Sequence, residues 1–479
     1  MLSSSAALFW LLAFSAGFTV AGVAYARRER GSLEDYIAAR NSQGAVATLL
    51  TLLASSLGAW ILFSPPQAAT WGGLGAVIGY ALGAMSPRLV MIPLGRRMRE
   101  LMPGGHTLTE FLLARYGRPM YSLTLLIMLF YLFIALCAEI TAIAKLVTLL
   151  APVPLWATAL VVMGATLIYT AYGGLRSSIF TDKIQMIIIL PLLLVLMVLG
   201  WKAVGGAGPT LAGLRDKAPQ LLDPFNIGGL KAGLTFFMAI LLTGLFHQGN
   251  WQRIYSARDT RTMRNGFLLG GLLVMPFIFV MGLFGLAFVG TAAGTDSSVA
   301  LFSIVLPQAP DWLAVALIAL GLALVMSSAD TAISAVSSLV AVDARRLMPR
   351  AATPVLMRWS RWLVFALAIP VMVVAAQGYD VLYLFLLADL LCSAAAFPVF
   401  FGLFSRRHDG RTAVISTLAG LVAGLWLFPA PGEKPVFLLE SFLLAALVPL
   451  AVTLLARRLI AARAEFDLSG LRGSVSRFD

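Results

Sequence analysis

Ser327, Ser328, Asp330 and Thr331, followed by Ser334, Ser337 and Ser338, stand inside a long apolar stretch of this chain. Ser327, Asp330, Thr331, Ser334 and Ser338 recur at three- and four-residue steps, so a helix through them carries one oxygen-lined face. A hard cation such as Na+ is held by several oxygens, with a carboxylate to meet its charge. Small hydroxyls also pack between helices and bond their carbonyls. That accounts for the serines but not for Asp330, so ion coordination is the better reading.

Other costly residues are scattered through apolar runs. Asp182 lies near the start of one of them, six residues after Arg176, and a salt bridge to that arginine or a helix-start anion would explain it. Glu139 and Lys145 are six residues apart in another run, so each needs a partner elsewhere. Asp389 and His247 read equally well as structural or functional. Trp60, Phe63 and Trp251 could stack on a cationic or amide solute, although ring packing is their commoner fate. His106, His247 and His408 lie far apart, and Cys137 and Cys392 both sit in apolar runs. No metal or nucleophile cluster emerges, and an enzyme is not expected.

What must position these groups is a bundle of membrane helices. The 479 residues are 60% hydrophobic and only 12% charged, with mean hydropathy +0.90; soluble domains sit nearer half apolar and a quarter charged. Apolar spans are predicted near 5–26, 45–69, 71–94, 119–150, 153–172, 177–200, 228–250, 266–292, 311–341, 359–378, 380–404, 412–429 and 436–456. The first is followed by Arg27-Arg28-Glu29-Arg30 and has no basic residue before it, which describes a retained span with its N-terminus outside rather than a signal peptide. With that orientation most of the 35 Lys and Arg fall on the cytoplasmic side, the external segments holding Lys202, Arg215, Lys217 and Lys434, with Lys231 at the outer start of the span 228–250. The net charge of +13 is therefore a topology signal, beside anionic lipid, and not a nucleic-acid footprint.

Two spans are interrupted. The helix from Ala45 runs through Ser55-Ser56-Leu57-Gly58-Ala59-Trp60 and meets Pro65-Pro66, where it is expected to unwind. Five spans later, Thr243-Gly244-Leu245-Phe246-His247-Gln248-Gly249-Asn250-Trp251 breaks an apolar helix near its cytoplasmic end. Irregular backbone at membrane depth lines a cavity or is buried in protein. Matching breaks in two halves of opposite orientation point to a secondary-transporter site.

The segments "YTAYGGLRSSIFTDKIQ", "NWQRIYSARDTRTMRNG" and "SSADTAISAVSSLVAVD" resemble three signature regions of the sodium:solute symporter family, over about residues 45–430. "HTLTEFLLARYG", "NWQR" followed by "GFLLGG", and "LYLFLLADLLCSAAAFPV" resemble its urea and polyamine branch. The resemblance implies an all-α membrane protein of about 13 spans with a leucine-transporter-type five-plus-five inverted repeat. It divides the chain into a first span and linker (1–44), repeat one (45–200), an external loop (201–227), repeat two (228–404), and two further spans with a cytoplasmic tail (405–479). It implies sodium held by the carbonyls of Ala54, Leu57 and Leu324 and the hydroxyls of Ser327 and Ser328. A second sodium at Asp182, Asp330 and Thr331, present in some members, is also implied. Substrate would rest on Gly58, Ser64, Gln67, Leu245 and Gln248, with Trp60 and Glu139 as additions.

The expectation is a sodium-coupled symporter of the cytoplasmic (inner) membrane, operating as a monomer. It would import a small polar solute such as urea, a polyamine or an amino acid. The rivals are the same fold coupled to protons through Asp182, Asp330 or His247, and a transporter-like sensor.

Overall fold

The computed structural model describes residues 2–28, 32–348, 353–433, 435–459 and 465–475; Glu29, Arg30, Lys434 and the end of the tail lie outside them. The described residues form helices and connecting turns, with a single bridge between Gln43 and Ala257. In chain order the helices are α1 (Ser4–Arg28), α2 (Leu33–Ile37), α3 (Ala45–Ala54), α4 (Ser64–Leu101), α5 (Leu108–Tyr116), α6 (Arg118–Leu150), α7 (Leu155–Ala203), α8 (Ala207–Lys217), α9 (Ile227–Gly244), α10 (Gln248–Ser256), α11 (Thr260–Thr291), α12 (Ala300–Val305), α13 (Asp311–Leu347), α14 (Thr353–Ala376), α15 (Val381–Phe401), α16 (Gly410–Leu427) and α17 (Leu438–Leu459).

Eleven of these are long and apolar enough to cross a membrane. Two contain a corner at a glycine with left-handed φ, Gly73 (φ 59°) in α4 and Gly174 (φ 56°) in α7. A side chain there would be strained, and its Cβ would meet the backbone of Leu221 or the ring of Tyr36. Splitting both helices at those corners gives thirteen crossings among the described residues, the number that charge alternation predicts. α3, a one-turn 3-10 segment (Ala59–Leu62) and the start of α4 make up one broken span; α9 and α10 make up the other.

The first break differs from expectation in position, and the second falls inside the expected Thr243–Trp251 segment but is shorter. The first falls at Ser55–Gly58, before the proline pair. Pro65 and Pro66 occupy the first turn of α4, where a missing N–H costs nothing and the fixed φ suits a helix start. The second is confined to Leu245–His247, after which α10 continues to Ser256, six residues beyond the predicted end at 250.

Burial separates the core from its lipid-facing ring. Within their most apolar windows α13 and α15 are 72% buried and α6 is 67% buried, against 28% for α1 and α14. A close seam joins the two halves: Gly75, Gly79 and Gly83 on α4 face Gly229, Gly233 and Phe236 on α9 so closely that a Cβ added to any of the three α4 glycines would overlap backbone. Close crossings of this kind are how helices associate where lipid offers no hydrophobic drive.

Candidate functional site

The first break is built by local competition for hydrogen bonds. Ser56 Oγ donates back to the Leu52 carbonyl and Ser55 Oγ to the same oxygen at 3.4 Å, as serines at a helix end do. Beyond them Gly58 is extended (φ −83°, ψ 173°). Glu139 of α6 fills the space beside it, its Oε2 accepting the Ala59 N–H at 2.8 Å. A Cβ on Gly58 would overlap that carboxylate. At the second break the freed carbonyls of Gly244 and Leu245 accept from Asn250 Nδ2 at 2.9 Å and Trp251 Nε1 at 2.8 Å.

Two neighbouring cavities, of about 120 and 70 Å³, share Ser55, Trp60, Tyr131, His247 and Phe385. Ser56, Tyr80, Arg88, Thr243, Asn250 and Asp389 also line the larger; Glu139, Ser328 and Ala332 also line the smaller. Trp60 forms a shared wall, its ring centroid 5.8 Å from Tyr80 and 5.9 Å from Phe385.

Next to the smaller cavity lies a buried ionic cluster. Asp182 accepts from Ser327 Oγ at 2.6 Å, from Thr51 Oγ1, and from Arg253 Nη2 at 3.3 Å. Asp330 accepts from Tyr169 and Ser178 at 2.7 Å each and from Thr181 at 3.0 Å. The Arg253 guanidinium also donates to Thr331 Oγ1 at 2.8 Å and Thr51 Oγ1 at 3.0 Å. Arg253, Asp182 and Asp330 are all fully buried. Two carboxylates and one guanidinium leave room for one more positive charge, and a buried charge without a partner is costly.

At the end of the bundle rich in arginine the broken helices are sealed. Gln248 donates to the His106 carbonyl at 3.0 Å and accepts the Leu108 N–H at 3.3 Å. Arg40 binds the carbonyls of Pro103, Gly104 and Gly105 at 2.7–3.0 Å, and Arg99 binds those of Ile254 and Ala257 at 2.6 and 3.0 Å. His106 bridges Glu34 and Glu110 through its two ring nitrogens. Burial opposes charging of His106, but the hydrogen bonds to both carboxylates prevail and raise its pKa. Burial would likewise raise that of Glu34, yet His106 and Arg40 hold it lowered. At the other end the side-chain ties are fewer: Gln67 Nε2 donates to Asp380 Oδ2 at 2.5 Å, and Lys231 pairs with Glu440.

Among the expected sodium ligands, Ser328 lines the smaller cavity and donates to the Leu324 carbonyl at 3.1 Å, while the Ala54 carbonyl accepts from the Leu57 N–H at 3.2 Å. Ser327 is committed to Asp182. Asp182, Asp330 and Thr331 do converge, around Arg253. Of the expected substrate residues, Trp60 and Glu139 line the cavities and Gly58 adjoins Glu139. Ser64, Gln67, Leu245 and Gln248 line neither: Gln67 ties one end, Gln248 seals the other, Leu245 caps Trp251, and Ser64 is fully buried. Arg176 pairs with Asp35 at 3.0 Å, not with Asp182. The sequence reading counted Arg253 among the solvated basic flank, and gave no role to Arg88 or Tyr131.

A model of the sodium:solute symporter family matches residues 36–420. The spermidine transporter DUR31 of Candida albicans is 24% identical over 377 residues, covering 78% of this chain and 70% of that protein. The sodium/pantothenate symporter of Escherichia coli is 28% identical over 271 residues, 54% of this chain and little more than half (56%) of the relative. In fold, the chain resembles a sodium-coupled sialic acid symporter in a substrate-bound outward-open state (TM-score 0.78, 16% identity, 96% and 99% of the two chains). It also resembles MhsT in complex with L-phenylalanine (TM-score 0.52, 18% identity, 86% and 99%). The leucine-transporter-type bundle, the two broken spans around buried polar cavities and the family match over four fifths of the length agree. This multi-pass membrane protein is a transporter belonging to the sodium:solute symporter family.

Proposed function

We propose that the protein sits in the cytoplasmic membrane with its N-terminus outside and imports a small polar solute, such as urea, a polyamine or an amino acid, on an inward sodium flow. The arginine-rich end then faces the cytoplasm, as the positive-inside rule requires. The two five-span repeats, 45–200 and 228–404, rock about the cavities to give alternating access. The observation that carries the reading is the meeting of a hydroxyl run on α13 with a broken helix: Ser328 opens on the solute cavity, and Ser327 bonds Asp182.

Sodium is taken up by the carbonyls of Ala54, Leu57 and Leu324 and the hydroxyls of Ser327 and Ser328, a shell of about five oxygens. Asp182, beside Ser327, supplies the nearby negative charge. Asp330 and Thr331 accommodate a second cation, because one guanidinium cannot neutralise two carboxylates. Sodium that favours the outward-open arrangement can promote solute binding only by its differential affinity for that state.

Uptake into proteoliposomes tests this. Replacing Ser327 and Ser328 together by Ala is expected to raise the sodium needed for half-maximal uptake by about tenfold, or about 1.4 kcal/mol. Full transport by the wild type in sodium-free buffer would overturn the assignment. A proton-coupled reading has support in the same cluster, since a proton on Asp330 would also balance its charge. It requires near-normal uptake by the serine variant, pH-driven uptake without sodium, and loss of uptake in Asp330→Asn.

A further inference from the structure

Arg88 and Asp389 both open on the larger cavity, and neither has a charged partner among the described residues. Arg88 stands on the second half of α4. Its Nη1 donates to the Ala84 carbonyl and its Nη2 to Ser56 Oγ, while Nε is buried with no acceptor. Two protein acceptors thus meet a group with five N–H donors, and no described carboxylate lies within 4 Å of it. Asp389, on α15, is 6% exposed and forms no ion pair among the described residues; its backbone carbonyl accepts from Thr243 at 3.3 Å and from Ser393 at 2.8 Å, and the Thr243 hydroxyl also lies beside its carboxylate. A guanidinium and a carboxylate left apart inside a membrane protein are each expensive. They persist where something supplied from outside completes them.

We propose that the transported solute is a small zwitterion whose carboxylate is held by Arg88 and whose ammonium is held by Asp389. This rests on the transporter reading above and narrows its substrate. The guanidinium fork matches a carboxylate through two parallel N–H bonds, and the Ser56 hydroxyl beside it belongs to the broken helix. Carboxylate binding therefore joins α4 to the segment whose shape sodium controls. Trp60, Tyr131 and Phe385 also line the cavity, and aromatic rings favour an ammonium group. A cavity of about 120 Å³ suits a solute of few heavy atoms. Urea would leave both charges unpaired, and a polyamine would bring further positive charge to Arg88.

The test is equilibrium binding to the purified full chain at saturating sodium. The probes are glycine, β-alanine, γ-aminobutyrate, 5-aminovalerate and glycine betaine, which vary the charge separation, with propionate, propylamine, urea and putrescine as controls. At least one zwitterion is expected to bind tenfold or more tighter than every control. Arg88→Gln should abolish the preference for a carboxylate, leaving propylamine equal to β-alanine, and Arg88→Lys should restore part of it. Asp389→Asn should do the same for the ammonium end. The assignment is overturned if urea or putrescine binds best, if no probe binds the wild type, or if Arg88→Gln weakens every probe equally. Sodium-dependent thermal stabilisation without solute is read separately. Its absence alongside zwitterion binding would sink sodium coupling and leave this assignment standing.

Discussion

Arg253 shows how a single residue changes the meaning of its neighbours. An arginine at the end of "NWQR" reads as one more cytoplasmic charge, yet it is fully buried and bonded to Asp182, Thr51 and Thr331. Its partners lie 71, 202 and 78 residues away in sequence, so no local pattern could reveal them. Ser327, Asp182 and Asp330 were legible because polar atoms in apolar runs are conspicuous by type alone. Removing one member of a buried pair leaves a stranded charge and typically costs about 3–5 kcal/mol. Arg253→Ala should therefore lower thermal stability sharply, while Arg253→Ala combined with Asp182→Asn should recover much of the loss. If melting shows the two changes to be additive, the pair is not energetically coupled.

Among the elements, α10 and the loop it grips explain why the seventh span runs past its predicted end at 250. Hydropathy falls where α10 begins, because Gln248, Asn250, Gln252 and Arg253 face protein partners instead of lipid, so a helix was read as an exit. The same contacts make a latch that senses pH. With its pKa raised by Glu34 and Glu110, protonated His106 contributes stability that is fully present below the ordinary value of 6.5 and is lost as pH rises through the raised value. Glu34, with its pKa lowered, contributes stability above 4.5 that is lost on acidification. The seal should thus be tightest between these limits. A cysteine at the buried Ser334, which faces Gln252, reports it through maleimide labelling normalised to an exposed thiol. Labelling should accelerate as pH rises through the raised His106 value, and in His106→Gln it should be fast at every pH; a flat profile in the parent would dismiss the latch. The glycine seam makes a second claim at this scale. Gly79→Leu drives a side chain into the Gly233 backbone and should cost at least the 1–3 kcal/mol typical of overpacking, visible as a lower melting temperature or loss of the folded monodisperse protein.

For the whole molecule, charge alternation and hydropathy sufficed to count thirteen crossings, because lipid imposes length and the positive-inside bias imposes parity. What they could not supply was the unequal closure of the two ends. Arginine–carbonyl bonds, the His106 bridge and Gln248 close one; at the other, among the described residues, Gln67 bonds Asp380 and Lys231 pairs with Glu440. The protein at rest should open more readily at the Gln67 end, so Asp380→Asn is expected to speed labelling of a cysteine at Ser56 from that end and leave access from the arginine-rich end unchanged.

α10 carries both Gln248, which seals the arginine-rich end, and Arg253, which neutralises Asp182. If that end opens by a movement of α10 rather than of the 103–108 loop, a full positive charge is displaced relative to the carboxylates on α7 and α13. The protein then has a voltage dependence of its own, apart from any ion it carries: one elementary charge crossing the full field is worth about 2.3 kcal/mol per 100 mV. A voltage step applied without solute should evoke a brief transient current as α10 shifts, and Arg253→Gln should shrink it.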